Sequence, residues 1–231
     1  NAFCMNRSER AAIYDEANRV LAALHSVDFA SLGLSDYGKP GNYFERQIAR
    51  WSKQYQASIT QPIDAMDRLI EWLPRNMPTS SKTDMTSIVH GDYRIDNVMY
   101  HPDRPQILAV LDWELSTLGH PLADFSYHCM AWHIPPGTFR GLGGVDLESL
   151  GIPQEDEYIR MYCDQTGWAT PVDLKTDWNF YLAYNMFRIA AILQGIAKRV
   201  ENGTASSAQA RASGAGARPM AELAWQFAQR A

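Results

Sequence analysis

Asp92, Asn97 and Asp112 are the residues of this sequence best placed to do chemistry together. Asp92 and Asn97 stand five positions apart in His90-Gly91-Asp92-Tyr93-Arg94-Ile95-Asp96-Asn97, on a loop between two short apolar runs. Asp112 follows the run Ile107–Leu111, which can fold back as a hairpin and return its end close to Asn97. A carboxylate, a carboxamide and a second carboxylate would then surround one point. Oxygen-only groups of this kind suit a hard divalent cation such as Mg²⁺. They also leave a carboxylate able to orient or deprotonate a hydroxyl. A metal on the phosphates and a base at the attacking oxygen are what phosphoryl transfer requires.

The elements that must position these groups are read from periodicity. Residues 8–25 carry Ile13, Ala17, Val20, Leu21 and Leu24 at helical spacing. A second helix is expected from Asn42, read as an N-cap with Glu45 as its reciprocal partner, and its stripe is Phe44, Ile48, Trp51 and Tyr55. Pro62 suits the first turn of a third helix carrying Ile63, Met66, Ile70 and Leu73, ended by Pro74 and Pro78. Short strands are expected at 87–90, 97–100 and 107–111, with Pro102-Asp103-Arg104-Pro105 as the turn between the last two. Helices follow from Gly119-His120-Pro121 to about Trp132, at 154–166 and at 173–201, with 135–153 as loop. Residues 202–218, poor in apolar side chains, are expected to be a mobile loop, and Pro219 opens a last helix. The expected fold is mainly α with a small antiparallel β-ribbon.

Composition narrows the function. The chain has 231 residues, a net charge of -5 and 46% hydrophobic residues, which is globular and mildly acidic. That balance argues against non-specific nucleic-acid binding, and no segment has the apolar length of a membrane span. Three scattered cysteines, Cys4, Cys129 and Cys163, with no C-x-x-C pair, point to a reducing cytoplasm rather than a disulfide framework. His128 and His133 are five apart, so they are not the i,i+4 pair of a helical zinc site.

The stretch from His90 to Glu114 resembles the catalytic region of the aminoglycoside phosphotransferase and choline kinase family, relatives of the protein kinases. His90-Gly91-Asp92 with Asn97 matches the family's His-Gly-Asp loop at kinase spacing, and Leu111-Asp112-Trp113-Glu114 stands where D-F-G or its variants would be. Gly119-His120-Pro121-Leu122-Ala123-Asp124 is similar to the family's G-x-P-x-x-D segment, and Leu21-Ala22-Ala23-Leu24-His25 to its LA-x-LH signature. Arg46-Gln47, Arg50-Trp51 and Phe187-Arg188 resemble the kinase-like domain fused to some acyl-CoA dehydrogenases.

The resemblance implies Asp92 as catalytic base, Asn97 and Asp112 as holders of Mg²⁺ on the nucleotide phosphates, and His90 as a brace of the loop. Asp124, at a helix start, is expected to cap backbone N–H groups and so to be structural. Trp132, Glu114, Arg94 and Arg188 are candidates for substrate binding. The two arginines favour an anionic acceptor, such as a hydroxy acid or its thioester, over a polyamine. The implied reaction passes a phosphoryl group from ATP, or alternatively GTP, to a small-molecule hydroxyl. A non-catalytic pseudokinase-like lobe and a metal-dependent phosphohydrolase stay open as alternatives. The family's phosphate-covering loop, its lysine and that lysine's glutamate partner have no counterpart here. Gly141-Leu142-Gly143-Gly144 follows no strand and reads as loop. Residues 1–231 are therefore expected to be the C-terminal lobe alone, weak in nucleotide binding, with the N-terminal β lobe supplied by a longer parent chain or by a partner.

Overall fold

The computed structural model describes residues 6–82, 85–168 and 171–231; Cys4 lies outside the described residues. In chain order the first elements are α1 (Arg7–His25), α2 (Tyr43–Ala57), α3 (Asp64–Arg75), β1 (Ser87–Val89), β2 (Val98–Tyr100) and β3 (Ile107–Val110). Then come β4 (Thr117–Gly119), α4 (Pro121–Cys129), α5 (Leu147–Leu150), α6 (Glu155–Thr166), α7 (Pro171–Glu201), α8 (Ala208–Ala215) and α9 (Ala217–Ala228). They form two compact units, Asn1–Pro40 with Asp84–Lys175, and Gly41–Thr83 with Thr176–Ala231.

The first unit is built around α1. Its N-terminus is closed by a capping box: Asn6 accepts from the Glu9 N–H at 3.0 Å, and Glu9 accepts from the Asn6 N–H at 2.8 Å. The reciprocal cap expected at Asn42 does not form. Asn42 is left-handed (φ 47°) and makes no side-chain cap to α2. An N-cap side chain reaches the N3 amide from extended backbone, and Asn6, at ψ 174°, has that geometry. The buried face of α1 is Tyr14, Ala17, Asn18, Leu21, Ala22 and His25, packed on α6. Asn18 sits in that apolar seam because both ends are satisfied: it donates to the Tyr158 carbonyl at 2.9 Å and accepts from Gln165 at 3.0 Å.

As expected, the β structure is small and antiparallel; among the described residues it forms two two-stranded sheets. β2 and β3 form the expected hairpin, pairing Val98 with Val110 and Met99 with Ala109. β1 pairs with β4, Ile88 opposite Leu118, a strand that periodicity does not reveal because Thr117-Leu118-Gly119 is only three residues long. Two chain segments therefore leave the paired regions side by side: the loop after β1 and the turn after β3.

In the second unit α7 is buried all round from Phe180 to Ala191, as suits a helix enclosed by others. Phe44 of α2 meets Tyr184 edge-on at 4.9 Å and Phe180 at 5.8 Å, and α3 packs on α9. Within 202–218, α8 is capped by Ser207, which accepts from the Ala210 N–H at 3.0 Å. Small side chains let α8 lie close to α7: a Cβ on Gly214 would sit 2.9 Å from the Ala197 Cα. Among the described residues no helix is long and apolar enough to cross a membrane.

Gly214 opposes two effects. Alanine would gain up to about 1 kcal/mol of helix propensity, but the added methyl meets backbone, and overpacking costs about 1–3 kcal/mol. Gly214→Ala is therefore expected to lower stability by about 1 kcal/mol in urea unfolding; a more stable variant would show that α8 is free to move off α7.

Candidate active site

The loop after β1 is fixed by a buried carboxylate. Asp124, in the first turn of α4, accepts the His90 N–H at 2.5 Å on Oδ2 and the Gly91 N–H at 2.8 Å on Oδ1. His25, from the end of α1, approaches Oδ2 at 3.4 Å and is itself held by the Tyr162 hydroxyl at 2.7 Å. Burial pushes the Asp124 carboxyl up, but the His25 contact and the two backbone donors outweigh it and hold it below its ordinary 3.8. The loop needs glycine at 91: its φ is +83°, and a Cβ would lie 2.7 Å from the Leu115 carbonyl oxygen. Tyr93 adds a third anchor, donating from a fully buried hydroxyl to the Ala17 carbonyl at 2.9 Å.

These anchors bring Asp92 and Asn97 together. Asn97 Nδ2 donates to both the Asp92 carbonyl and its Oδ2, each at 2.9 Å. The turn after β3 is tied to the same place, since the Leu111 N–H donates to the Asn97 carbonyl at 2.8 Å. His90 completes the link: Nε2 donates to the Leu111 carbonyl at 2.8 Å while Nδ1 accepts the Asp92 N–H at 3.2 Å, so one tautomer serves both bonds. Asp112 follows in a left-handed conformation (φ 69°) and is exposed. Its carboxylate makes no hydrogen bond or ion pair among the described residues. Asp is one of the few non-glycine residues that tolerates this region.

The other candidates divide. Arg94 contacts Asp92 Oδ2 at 3.2 Å, Asn97 Oδ1 at 3.4 Å and Asp96 at 3.6 Å. Trp132 is buried and donates to the Pro153 carbonyl at 2.9 Å. Glu114 is exposed in the turn Trp113–Leu115 with no partner among the described residues. Arg188 belongs to the second unit, where it is buried with its guanidinium 5.5 Å from the Trp51 ring.

A cavity of about 250 Å³ opens beside the loop. Tyr14, Tyr127, Met130, Trp132, Phe139 and Leu142 supply apolar and aromatic wall, and Arg94, Asp96 and Arg140 supply charge. Asp96 bridges both arginines, Arg94 at 3.6 Å and Arg140 at 2.6 Å. Phe139 and Arg140 are both left-handed (φ 43° and 57°), a strained pair held between bonds from Gly141 to Thr138 at 2.9 Å and from Leu142 to Ala131 at 2.7 Å. His128 also lines the cavity; burial pushes its imidazole down to about 4. His133 pairs with Glu155 at 2.8 Å, and no metal-holding group of three His, Cys, Asp or Glu exists among the described residues. Arg140 and His25 are not site candidates by sequence, though His25 carries a signal through the LA-x-LH match; Tyr127 lies close in sequence to the expected site, and the structure puts it in the cavity wall.

The donor set fits a hard cation. Asn97 Oδ1 has one of two lone pairs directed by Arg94, and the Asp112 carboxylate is open. A two-sheet, mainly helical lobe with a carboxylate-amide loop beside a second acidic turn is the C-terminal lobe of a protein-kinase-like fold. Residues 5–171 match the Phosphotransferase enzyme family, and the chain belongs to that family. A Ralstonia eutropha protein assigned as an aminoglycoside phosphotransferase superposes with a TM-score of 0.93 at 60% identity, over 98% of this chain and 68% of that one. Mouse acyl-CoA dehydrogenase family member 10 is 50% identical over 223 residues, 96% of this chain and 20% of its own length; the chain thus spans about a fifth of that relative. Amicoumacin kinase, solved with AMP-PNP, Ca²⁺ and Ami, shares the fold at 14% identity with a TM-score of 0.57, over 98% of this chain and 63% of that one.

His128 gives the site's wall a pH dependence. Its folded pKa lies below its ordinary 6.5, at about 4, so between these values the unfolded chain takes up a proton that the folded one refuses. This contribution to stability is complete above pH 6.5 and is lost as pH falls towards 4, a loss of about 3 kcal/mol. Urea unfolding at pH 7 and pH 4.5 should show most of that fall, and His128→Gln should flatten it. An unchanged slope in His128→Gln would mean that the imidazole is charged in the fold.

Proposed function

We propose that this chain carries the chemical half of an ATP-dependent phosphotransferase whose acceptor is a small-molecule hydroxyl. The observation that supports it is the hydrogen-bonded knot joining Asp92, Asn97 and Leu111, the residue before Asp112. Asp92 orients the acceptor hydroxyl and takes its proton. The new O–P bond forms as the bond from the γ-phosphorus to the leaving nucleoside diphosphate breaks, and the electron pair departs with the diphosphate. Asn97 and Asp112 would hold Mg²⁺, which when bound offsets charge on the phosphates. His90 and Asp124 brace the loop. GTP is the alternative donor. A lobe outside this chain would supply the phosphate-covering loop and its lysine. That amicoumacin kinase, of the same fold, was solved with AMP-PNP and Ca²⁺ agrees with a nucleotide-metal pair.

The acceptor binds in the 250 Å³ cavity, against Trp132 and the other aromatic rings. Arg94 and Arg140 outnumber Asp96 there, which favours an anionic group, as on a hydroxy acid or its thioester, over a polycation. Glu114, exposed on the metal-side turn, is a second acceptor contact in this reading. The buried, unbridged Cys129 and Cys163 agree with a cytoplasmic setting.

The test uses the intact parent protein, Mg²⁺-ATP titration calorimetry and ADP release over a panel of anionic, neutral and cationic alcohols. Asp92→Asn should leave nucleotide affinity within about threefold and cut kcat by roughly 10²- to 10⁴-fold. Asp112→Ala should abolish turnover. Parental rates in Asp92→Asn would remove the base assignment. Phosphate release without acceptor transfer would instead mark a hydrolase, and nucleotide binding with no turnover a pseudokinase. Acceptance of cationic aminoglycosides alone would reverse the anionic preference.

A further inference from the structure

The Asp92 carboxylate has about four places to accept hydrogen bonds, two on each oxygen. Oδ2 is filled by Asn97 Nδ2 at 2.9 Å and the Arg94 guanidinium at 3.2 Å. Oδ1 accepts one donor among the described residues, the hydroxyl of Tyr127. One place is left, on Oδ1, and Tyr127 is at once its neighbour and part of the cavity wall.

Tyr127 and Asp124 are three residues apart on α4, so they share one helix face. The carboxylate of one holds the loop's backbone at His90 and Gly91, and the hydroxyl of the other holds its reactive side chain. Both grips come from one buried helix, so the Asp92 rotamer is set by the same element that sets the loop. A carboxylate free to rotate would present either oxygen to the cavity, and a hydroxyl is deprotonated efficiently only from a fixed approach.

We propose that Tyr127 is a positioning residue that locks Asp92 so that its Oδ1, the oxygen bonded to the cavity wall through Tyr127, is the one that receives the acceptor hydroxyl. This rests on Asp92 being the base. Tyr127 keeps its own proton throughout; the acceptor's proton goes to Oδ1.

The experiment uses the intact parent protein with Mg²⁺-ATP and the alcohol of the acceptor panel that it turns over fastest, reading ADP release. Tyr127→Phe should lower kcat by about tenfold to a hundredfold, the size of one lost hydrogen bond to a charged group, with the KM for ATP within about twofold. In the Asp92→Asn background the same change should cost less than about threefold, because a residue acting through Asp92 has nothing left to position. Para-aminophenylalanine at 127 keeps a donor and should recover most of the rate; para-methylphenylalanine keeps the volume but no donor and should not. That pair keeps the ring and its para group, so the answer does not hinge on how well Tyr127→Phe folds. Full rate with the para-methyl ring, or an undiminished loss in the Asp92→Asn background, overturns the proposal. A parent indifferent to Asp92→Asn overturns the base assignment itself, and this proposal with it.

Discussion

The site depends on one buried charge. Asp124 accepts the His90 and Gly91 amides, and its ionised form is stabilised by these donors and by His25. An ionised carboxylate without such partners would be costly to bury. With them, it fixes two consecutive peptide units and hence the start of the loop. Gly91 is the counterpart of that constraint: its left-handed backbone and its closeness to the Leu115 carbonyl leave no room for a side chain. Everything downstream, from the Tyr93 anchor to the Asn97 amide, follows from where those two peptides are placed.

The second constraint is the junction of loop and hairpin. The Leu111 N–H and carbonyl are spent on Asn97 and His90, so the residue after Leu111 cannot wander. Asp112 takes a left-handed conformation there, which exposes its carboxylate beside an otherwise closed hydrogen-bond network. A site built this way ties its positioning groups into hydrogen bonds and leaves the Asp112 carboxylate, proposed to meet the metal, open among the described residues. Tyr127 extends the same logic to the proposed base, since it holds one carboxylate oxygen from the helix that holds the loop.

Much of this was legible in the sequence because the positions lie close together in the chain. His90, Asp92 and Asn97 fall within eight residues, and Asp112 is one hairpin away, so spacing and turn chemistry bring them together. The long helices were legible from their apolar period. What was hidden depends on contacts between distant segments. His25 reaches Asp124 across 99 positions and Tyr127 reaches Asp92 across 35, and no periodicity reports such a meeting. β4 is too short to show a pattern, and Phe139 and Arg140 take left-handed backbone without being glycine, which residue type does not signal. The Asn42 cap does not form because capping also needs extended backbone, which residue type alone does not report. The helix α8 escaped notice because it packs through Gly214 and alanines rather than through an apolar stripe.

The proposed chemistry requires the carboxamide and the exposed acid to share one ion. Crystals of the intact parent protein grown with Mn²⁺ and a non-hydrolysable ATP analogue give the direct measurement, through anomalous scattering from the metal. The expected result is an ion coordinated by Asn97 Oδ1 and the Asp112 carboxylate at roughly 2.0–2.3 Å, with the Asp92 carboxylate facing the terminal phosphate. An ion bound away from both residues, with the acids at 92 and 112 opening onto separate regions, would contradict it.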